Sequence, residues 1–148
     1  MTARYRSAWL AALSGALERL RPQRPMGALE AHHRIDGQTC LITGANRGLG
    51  LAIACQLAQR GGRVVMACRR DYPQARRAIE AAGQGREVIP LQMDLSSLKG
   101  VDQACQRLHD RGIALTRVIL NAGVVPRGAR PTADGFEEGF QVNVLANV

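Results

Sequence analysis

Residues Thr43 to Gly50 read Thr-Gly-Ala-Asn-Arg-Gly-Leu-Gly, directly after the short apolar run Thr39-Cys40-Leu41-Ile42. Apolar residues then recur at helical spacing through Leu51, Ile53, Ala54, Leu57 and Ala58. A strand that breaks at a glycine-rich turn and continues as a helix leaves few folds open. The glycines let backbone amides come close to phosphate oxygens, and the helix N-terminus adds partial positive charge. The segment reads as a cradle for a dinucleotide pyrophosphate. The competing reading is a tight strand-to-helix connection that binds nothing, and the segments downstream bear on that choice.

From Ile35 onward the pattern alternates. Strands are expected at Gln38–Thr43, Arg63–Cys68, Glu87–Met93 and Thr116–Leu120. Helices are expected at Leu49–Arg60, at Tyr72–Ala82, and from a cap at Ser96 or Ser97 through Val101, Ala104, Cys105 and Leu108 to Gly112. A last amphipathic helix begins near Asp134, with Phe136, Phe140 and Val144 on one face, and runs on to Val148. Strand-helix repetition at this spacing implies right-handed crossovers and an α/β fold, a Rossmann-type doubly wound parallel sheet. About four strands in the order 3-2-1-4 make that sheet incomplete, with the fourth strand on an open edge. Its continuous aliphatics suit a buried parallel strand.

Residues 1–34 differ from the rest. Trp9, Leu10, Leu13, Leu17 and Leu20 mark one face of a helix, followed by a linker. An extension that packs on the domain or flexes is preferred over a signal peptide or a basic helix resting on a membrane surface. No run approaches the ~20 apolar residues of a membrane span. Residues 35–148 form the second region, the N-terminal part of a dinucleotide-binding domain.

The 148 residues suffice for one domain with a core, and the formal charge is +8. That charge is almost all arginine, since Lys99 is the only lysine, and it is spread along the chain without interleaved aromatics. Solvated faces account for it better than nucleic-acid binding does. Cys40, Cys55, Cys68 and Cys105 fall inside strand or helix patterns without a C-x-x-C pair, which suits reduced core thiols and a cytoplasmic setting. His32 and His33 are adjacent and His109 lies on a polar helix end, so no metal site is expected.

Further motifs stand at the ends of successive strands: Cys68-Arg69-Arg70, then Asp94-Leu95, then Asn121-Ala122-Gly123, with Asn143 in the last helix. Ligands of open α/β sheets bind at the carboxyl ends of the strands, so these loops gather on one rim. The ordered set T-G-x-x-x-G-x-G, D-L, N-A-G and N-V resembles the short-chain dehydrogenase/reductase family, from about residue 37 to the end. Val65–Arg69 and Gln141–Val144 are most similar to its retinol dehydrogenase-like branch.

The resemblance implies an oxidoreductase acting on an alcohol/carbonyl pair. Gly44, Gly48 and Gly50 would shape the turn, with the amides near Arg47 and Leu49 facing the pyrophosphate. Asn46 would brace the loop or the fourth strand. Asp94 would accept a hydrogen bond from the adenine amino group, with the Leu95 amide beside the ring. Asn121, Ala122 and Gly123 would form the floor under the nicotinamide-side ribose. An acidic residue after the second strand selects NAD. Here Arg69 and Arg70 stand there, with Arg47 in the turn, and guanidinium groups suit a 2′-phosphate. NADP(H) is therefore preferred over NAD(H), although Asp71, slightly late for a ribose carboxylate, keeps NAD open.

In this family a Tyr exchanges the substrate proton, a Lys four residues later lowers its pKa, and a Ser polarises the carbonyl. No Tyr-x-x-x-Lys exists here: Trp9 lies four residues after Tyr5, and Arg76 four after Tyr72. Of the family's catalytic set only Asn143 is present, with an expected structural and proton-relaying role. The chain is thus expected to be a cofactor-binding fragment, inactive alone, that would form a homo-oligomer only when full length. A non-catalytic nucleotide-binding or regulatory module is the alternative.

Overall fold

Thr39–Thr43 forms β1, buried at every position, and its two neighbours fix the architecture. The computed structural model describes residues 33–148. The expected helix and linker of residues 1–34 lie outside the described residues, His33 and Arg34 apart. β1 pairs in parallel with β2 (Arg63–Cys68) on one side and with β4 (Arg117–Ile119) on the other. β2 pairs in turn with β3 (Ile89–Gln92), giving the order β3-β2-β1-β4. The winding read from the sequence is the winding found.

Alternation along the strands divides the core into two layers. Leu41, Val65, Ala67, Ile89 and Leu91 face one way, against Ala104 and Leu108 of α3 (Leu98–Asp110) and Val142 of α4 (Glu138–Asn143). Ile42, Val64, Met66 and Cys68 face the other way. They meet Ala54 and Ala58 of α1 (Gly48–Gln59) and Ala75 and Ile79 of α2 (Pro73–Ala82). Small alanines on α1 and α2 let both helices lie close to the sheet, which explains how a chain with few aromatics fills its interior.

Element ends follow local chemistry. Pro73 opens α2, where its missing N–H costs nothing. Ser97 caps α3, its hydroxyl accepting from the Gly100 amide at 3.1 Å.

The last quarter departs from the sequence reading. β4 is shorter than Thr116–Leu120 and is not buried, with Val118 54% and Leu120 53% exposed. Continuous aliphatics mark a strand with cover on both faces, but β4 has a single strand neighbour and little cover among the described residues. The last helix begins at Glu138 rather than near Asp134, because Asp134 and Gly135 turn and an isolated bridge joins Pro131 to Glu137. Glu137 caps the helix: its carboxylate accepts from the Gly139 and Phe140 amides, which hold it below the usual carboxylate range. Phe136, Phe140 and Val144 are exposed, and the buried residues of α4 are Gln141 and Val142. The helix does not run on to Val148. It ends at Asn143, and a 3-10 turn follows at Leu145–Asn147.

Cysteine placement gives a direct check on packing. Burial pushes the Cys40, Cys55 and Cys68 thiols up, and Cys105 is exposed on α3. A raised thiol pKa keeps the unreactive protonated form in the native protein at mildly alkaline pH. Iodoacetamide at about pH 8 should modify Cys105 first, with Cys40 and Cys68 reacting only after denaturation. Peptide mass spectrometry reads the order, and equal rates at all four sites would mean that the sheet core is open.

Candidate cofactor site

The carboxyl ends of all four strands open into one cleft of about 600 Å³. Its rear wall is the glycine turn between β1 and α1. Gly44 holds φ +68 and its amide donates to the Ala67 carbonyl of β2 at 2.9 Å. Gly48 sits at φ +55, a conformation that side-chain-bearing residues rarely adopt. Arg47 at the N-cap is extended and offers no side-chain cap, and no acidic residue stands in the first turn of α1. The helix thus presents its N-terminal amides and its positive end to the cleft without internal neutralisation.

β1 and β4 are tied together beneath this turn by Thr43. Its buried hydroxyl accepts from the Asn121 and Ala122 amides, both at 3.0 Å, and its carbonyl accepts from the Asn121 side chain at 3.0 Å. Asn121 therefore serves the glycine turn as a strut. Asn46 lies against β2, its side-chain oxygen 3.9 Å from the Cys68 sulfur, so it braces the loop toward β2 and not toward the fourth strand. The Cys68 thiol also receives hydrogen bonds from the Ala45 and Asn46 amides, which partly offset the upward push of burial.

At the end of β3, Asp94 folds back on the chain. One carboxylate oxygen accepts from the Ser96 amide at 3.0 Å and from its hydroxyl at 2.7 Å. At the end of β2, Arg69 and Arg70 are exposed beside the cleft. The Arg69 carbonyl accepts from the Gln92 side chain at 3.3 Å, fixing that turn to β3. Asp71 lies outside the cleft, with its carboxylate 3.8 Å from Arg76 on α2.

Every residue read from the sequence as cofactor-binding lines this one cleft: the glycine turn with Asn46, Arg47 and Leu49, the Arg69-Arg70 pair, Asp94 with Leu95, and Asn121 through Gly123. Asn143 is placed apart. Its side-chain oxygen accepts from the Val124 amide and its nitrogen donates to the Val124 carbonyl, both at 2.9 Å, so it anchors the strand-end loop from behind. The sequence reading missed Tyr72, Ser96 and Glu138 as parts of the cleft, and it gave Thr43 and Cys68, which its motifs contain, no role there. Thr43 had a signal: a hydroxyl at the last position of a buried central strand must find a partner at the end of a neighbouring strand. Glu138 had none, because its position depends on the turn at Asp134. Among the described residues no group of three His, Cys, Asp or Glu side chains is placed to hold a metal, and no helix is long and apolar enough to cross a membrane.

The arrangement can take an elongated anionic ligand, with amides at the rear, guanidinium groups at one end and the Asn121–Gly123 floor at the other. At Gly123 an added Cβ would meet the Asn143 side-chain oxygen at 3.4 Å, an ordinary contact, so the protein itself tolerates a side chain there. The family model for short chain dehydrogenase matches residues 38–148, the span that builds the sheet and the cleft. The chain belongs to the short-chain dehydrogenase family. It is 38% identical to mouse retinol dehydrogenase 14 over 95% of this chain and 48% of the relative. It is 33% identical to human retinol dehydrogenase 13, over 93% and 42% respectively. These likenesses set it in the retinol dehydrogenase-like branch. Among solved structures, the bulky-bulky ketone specific alcohol dehydrogenase of Comamonas testosteroni superposes with TM-score 0.63 at 26% identity, over 76% of this chain and 46% of that one. L-sorbose reductase from Gluconobacter frateurii, solved with NADPH and L-sorbose, shares the fold with TM-score 0.63 at 24% identity, over 78% and 45%. The chain spans about half the length of the curated relatives it matches.

Proposed function

We propose that this short-chain dehydrogenase family member is the cofactor-binding part of an NADP(H)-dependent oxidoreductase acting on an alcohol/carbonyl pair. The observation that carries the cofactor choice is the end of β2. Two arginines stand beside the cleft there, while Asp71, the carboxylate that follows them in the chain, is turned to Arg76 and lies outside it. A guanidinium pair favours a 2′-phosphate, and a misplaced carboxylate offers a ribose hydroxyl little.

The residues fit the group. The unneutralised N-terminus of α1 would receive the pyrophosphate, and the second Asp94 oxygen, which makes no hydrogen bond within the described residues, would accept from the adenine amino group. Asn121, Ala122 and Gly123 would carry the nicotinamide-side ribose. When bound, the nicotinamide supplies the hydride-transferring carbon. Asn143 keeps one amide hydrogen and one lone pair beyond its Val124 bonds, enough for a proton-relaying water as well as its bracing role. The Ser and the Tyr-x-x-x-Lys that would complete the chemistry have no counterpart in this sequence.

Titration of the chain with NADPH and with NADH, followed by nicotinamide fluorescence, tests the reading. NADPH should bind at least about tenfold tighter, the equivalent of a single charge-assisted contact of roughly 1.4 kcal/mol. Equal affinities would overturn the NADP(H) preference, and no oxidation or reduction by this chain alone is expected in the same cuvette.

A further inference from the structure

The two arginines after β2 are held by different devices. Arg69 is fixed through its backbone, by the Gln92 bond to its carbonyl. Arg70 is fixed through its head group: the guanidinium carbon lies 5.4 Å from the centroid of the Tyr72 ring, within cation–π range. The ring is itself packed against the domain. Tyr72 is the N-cap of α2, its backbone restricted by the following Pro73, and its side chain packs half-buried on the layer that contains Cys68, Ala75 and Ile79. Arg69, Arg70, Tyr72 and Asp94 together line a smaller recess of about 330 Å³ that adjoins the main cleft.

A free arginine on an exposed loop would lose rotamer freedom on engaging a phosphate. A ring that already holds the guanidinium removes part of that loss before the ligand arrives. The recess also contains the Asp94 carboxylate, which repels a dianion, so a phosphate there needs both guanidinium groups in place. Resting on the NADP(H) reading above, we propose that Tyr72 is a positioning residue for cofactor discrimination. It aligns Arg70 for the 2′-phosphate and contributes to NADPH binding without contributing to NADH binding.

The test is the ratio of NADPH to NADH dissociation constants in the chain and in four variants. Tyr72→Leu should lower the preference for NADPH about two- to fivefold, the equivalent of the 0.5–1 kcal/mol of an exposed cation–π pair, with NADH affinity unchanged. Tyr72→Phe, which keeps the ring, should hold the preference within about twofold of the parent. Arg70→Leu should lower it at least as far as Tyr72→Leu. In the double variant Arg70→Leu/Tyr72→Leu the ring change should add nothing, since it acts through the arginine. Equal loss for both cofactors in Tyr72→Leu would mean that the ring only supports α2, and an unchanged ratio would mean that Arg70 needs no support; either overturns the inference while the NADP(H) reading stands. A further loss from Tyr72→Leu in the Arg70→Leu background would also overturn it. A parent chain without preference for NADPH removes the cofactor reading and this inference together.

Discussion

Gly50→Ala is expected to lower the melting temperature by about 10 °C and to weaken NADPH binding at least about a hundredfold. A Cβ at Gly50 would stand 2.4 Å from the Gly44 carbonyl oxygen and 2.5 Å from the Asn121 side-chain nitrogen. Neither neighbour is free to give way. Gly44 is held by its bond to Ala67, and Asn121 by its bond to the Thr43 carbonyl. The first turn of α1 must therefore lift off β1, an overpacking cost of roughly 2–3 kcal/mol. The same lift moves the N-terminal amides away from the phosphates, and hydrogen bonds to charged groups are worth about 1.5–3 kcal/mol each. Gly48→Ala is the contrasting variant, because open space surrounds that position and only its positive φ resists a side chain. Its cost should stay near 1–2 kcal/mol. Calorimetry and fluorescence titration separate the two cases. If Gly50→Ala melts and binds like Gly48→Ala, close helix–strand contact is not what shapes the cradle.

That contact was legible in the sequence only as a motif. T-G-x-x-x-G-x-G says that three glycines are required, but not that one answers to backbone conformation and another to distance. The sheet order and the first three strands were readable because each carries a sustained β-type apolar run with a turn signal after it. Beyond Gly112 that signal weakens for physical reasons. Val118 and Leu120 are as apolar as any core residue, yet they lie on a sheet edge, and hydrophobicity reports what a side chain would gain from burial, not whether a neighbour is present. The last helix reads as starting near Asp134 because Phe136, Phe140 and Val144 follow at helical spacing. Asp134 instead serves two other elements: its carboxylate accepts from the Leu98 amide at the start of α3, beside the Ser97 cap, at 2.8 Å and from the buried Gln141 side chain at 2.6 Å. Long-range partners of this kind leave no local trace. The strand-end motifs were legible for the opposite reason, since topology alone brings the carboxyl ends of parallel strands to one rim. What those motifs could not reveal is how the rim is braced.

Thr43 is that brace, and Thr43→Val is expected to destabilise the domain by about 2–4 kcal/mol although it removes no volume. The hydroxyl accepts from two backbone amides, those of Asn121 and Ala122, at the point where β4 ends. A methyl in its place leaves both part-buried donors without this partner, and each unsatisfied donor costs ~1–3 kcal/mol. β1 and β4 are joined by three residue pairs, from Cys40–Arg117 to Ile42–Ile119, with Thr116 bonded to Thr39 at the opposite end, so Thr43 is the side-chain tie at the carboxyl end of this edge. Thr43→Ser keeps the acceptor and gives up one buried methyl, at about 1 kcal/mol or less. The valine variant, similar in shape, should therefore be the less stable of the two. Cofactor binding should follow the same order, since Asn121 and Gly123 form the floor of the cleft and move with the end of β4. Asn121→Ala removes the reciprocal bond to the Thr43 carbonyl. Combined with Thr43→Val it should cost less than the sum of the two single changes, because both act on one strand junction. Urea denaturation of the parent, the three single variants and the double variant measures all of this in one series. A valine variant as stable as the serine variant would show that the hydroxyl is dispensable and that backbone pairing alone carries β4.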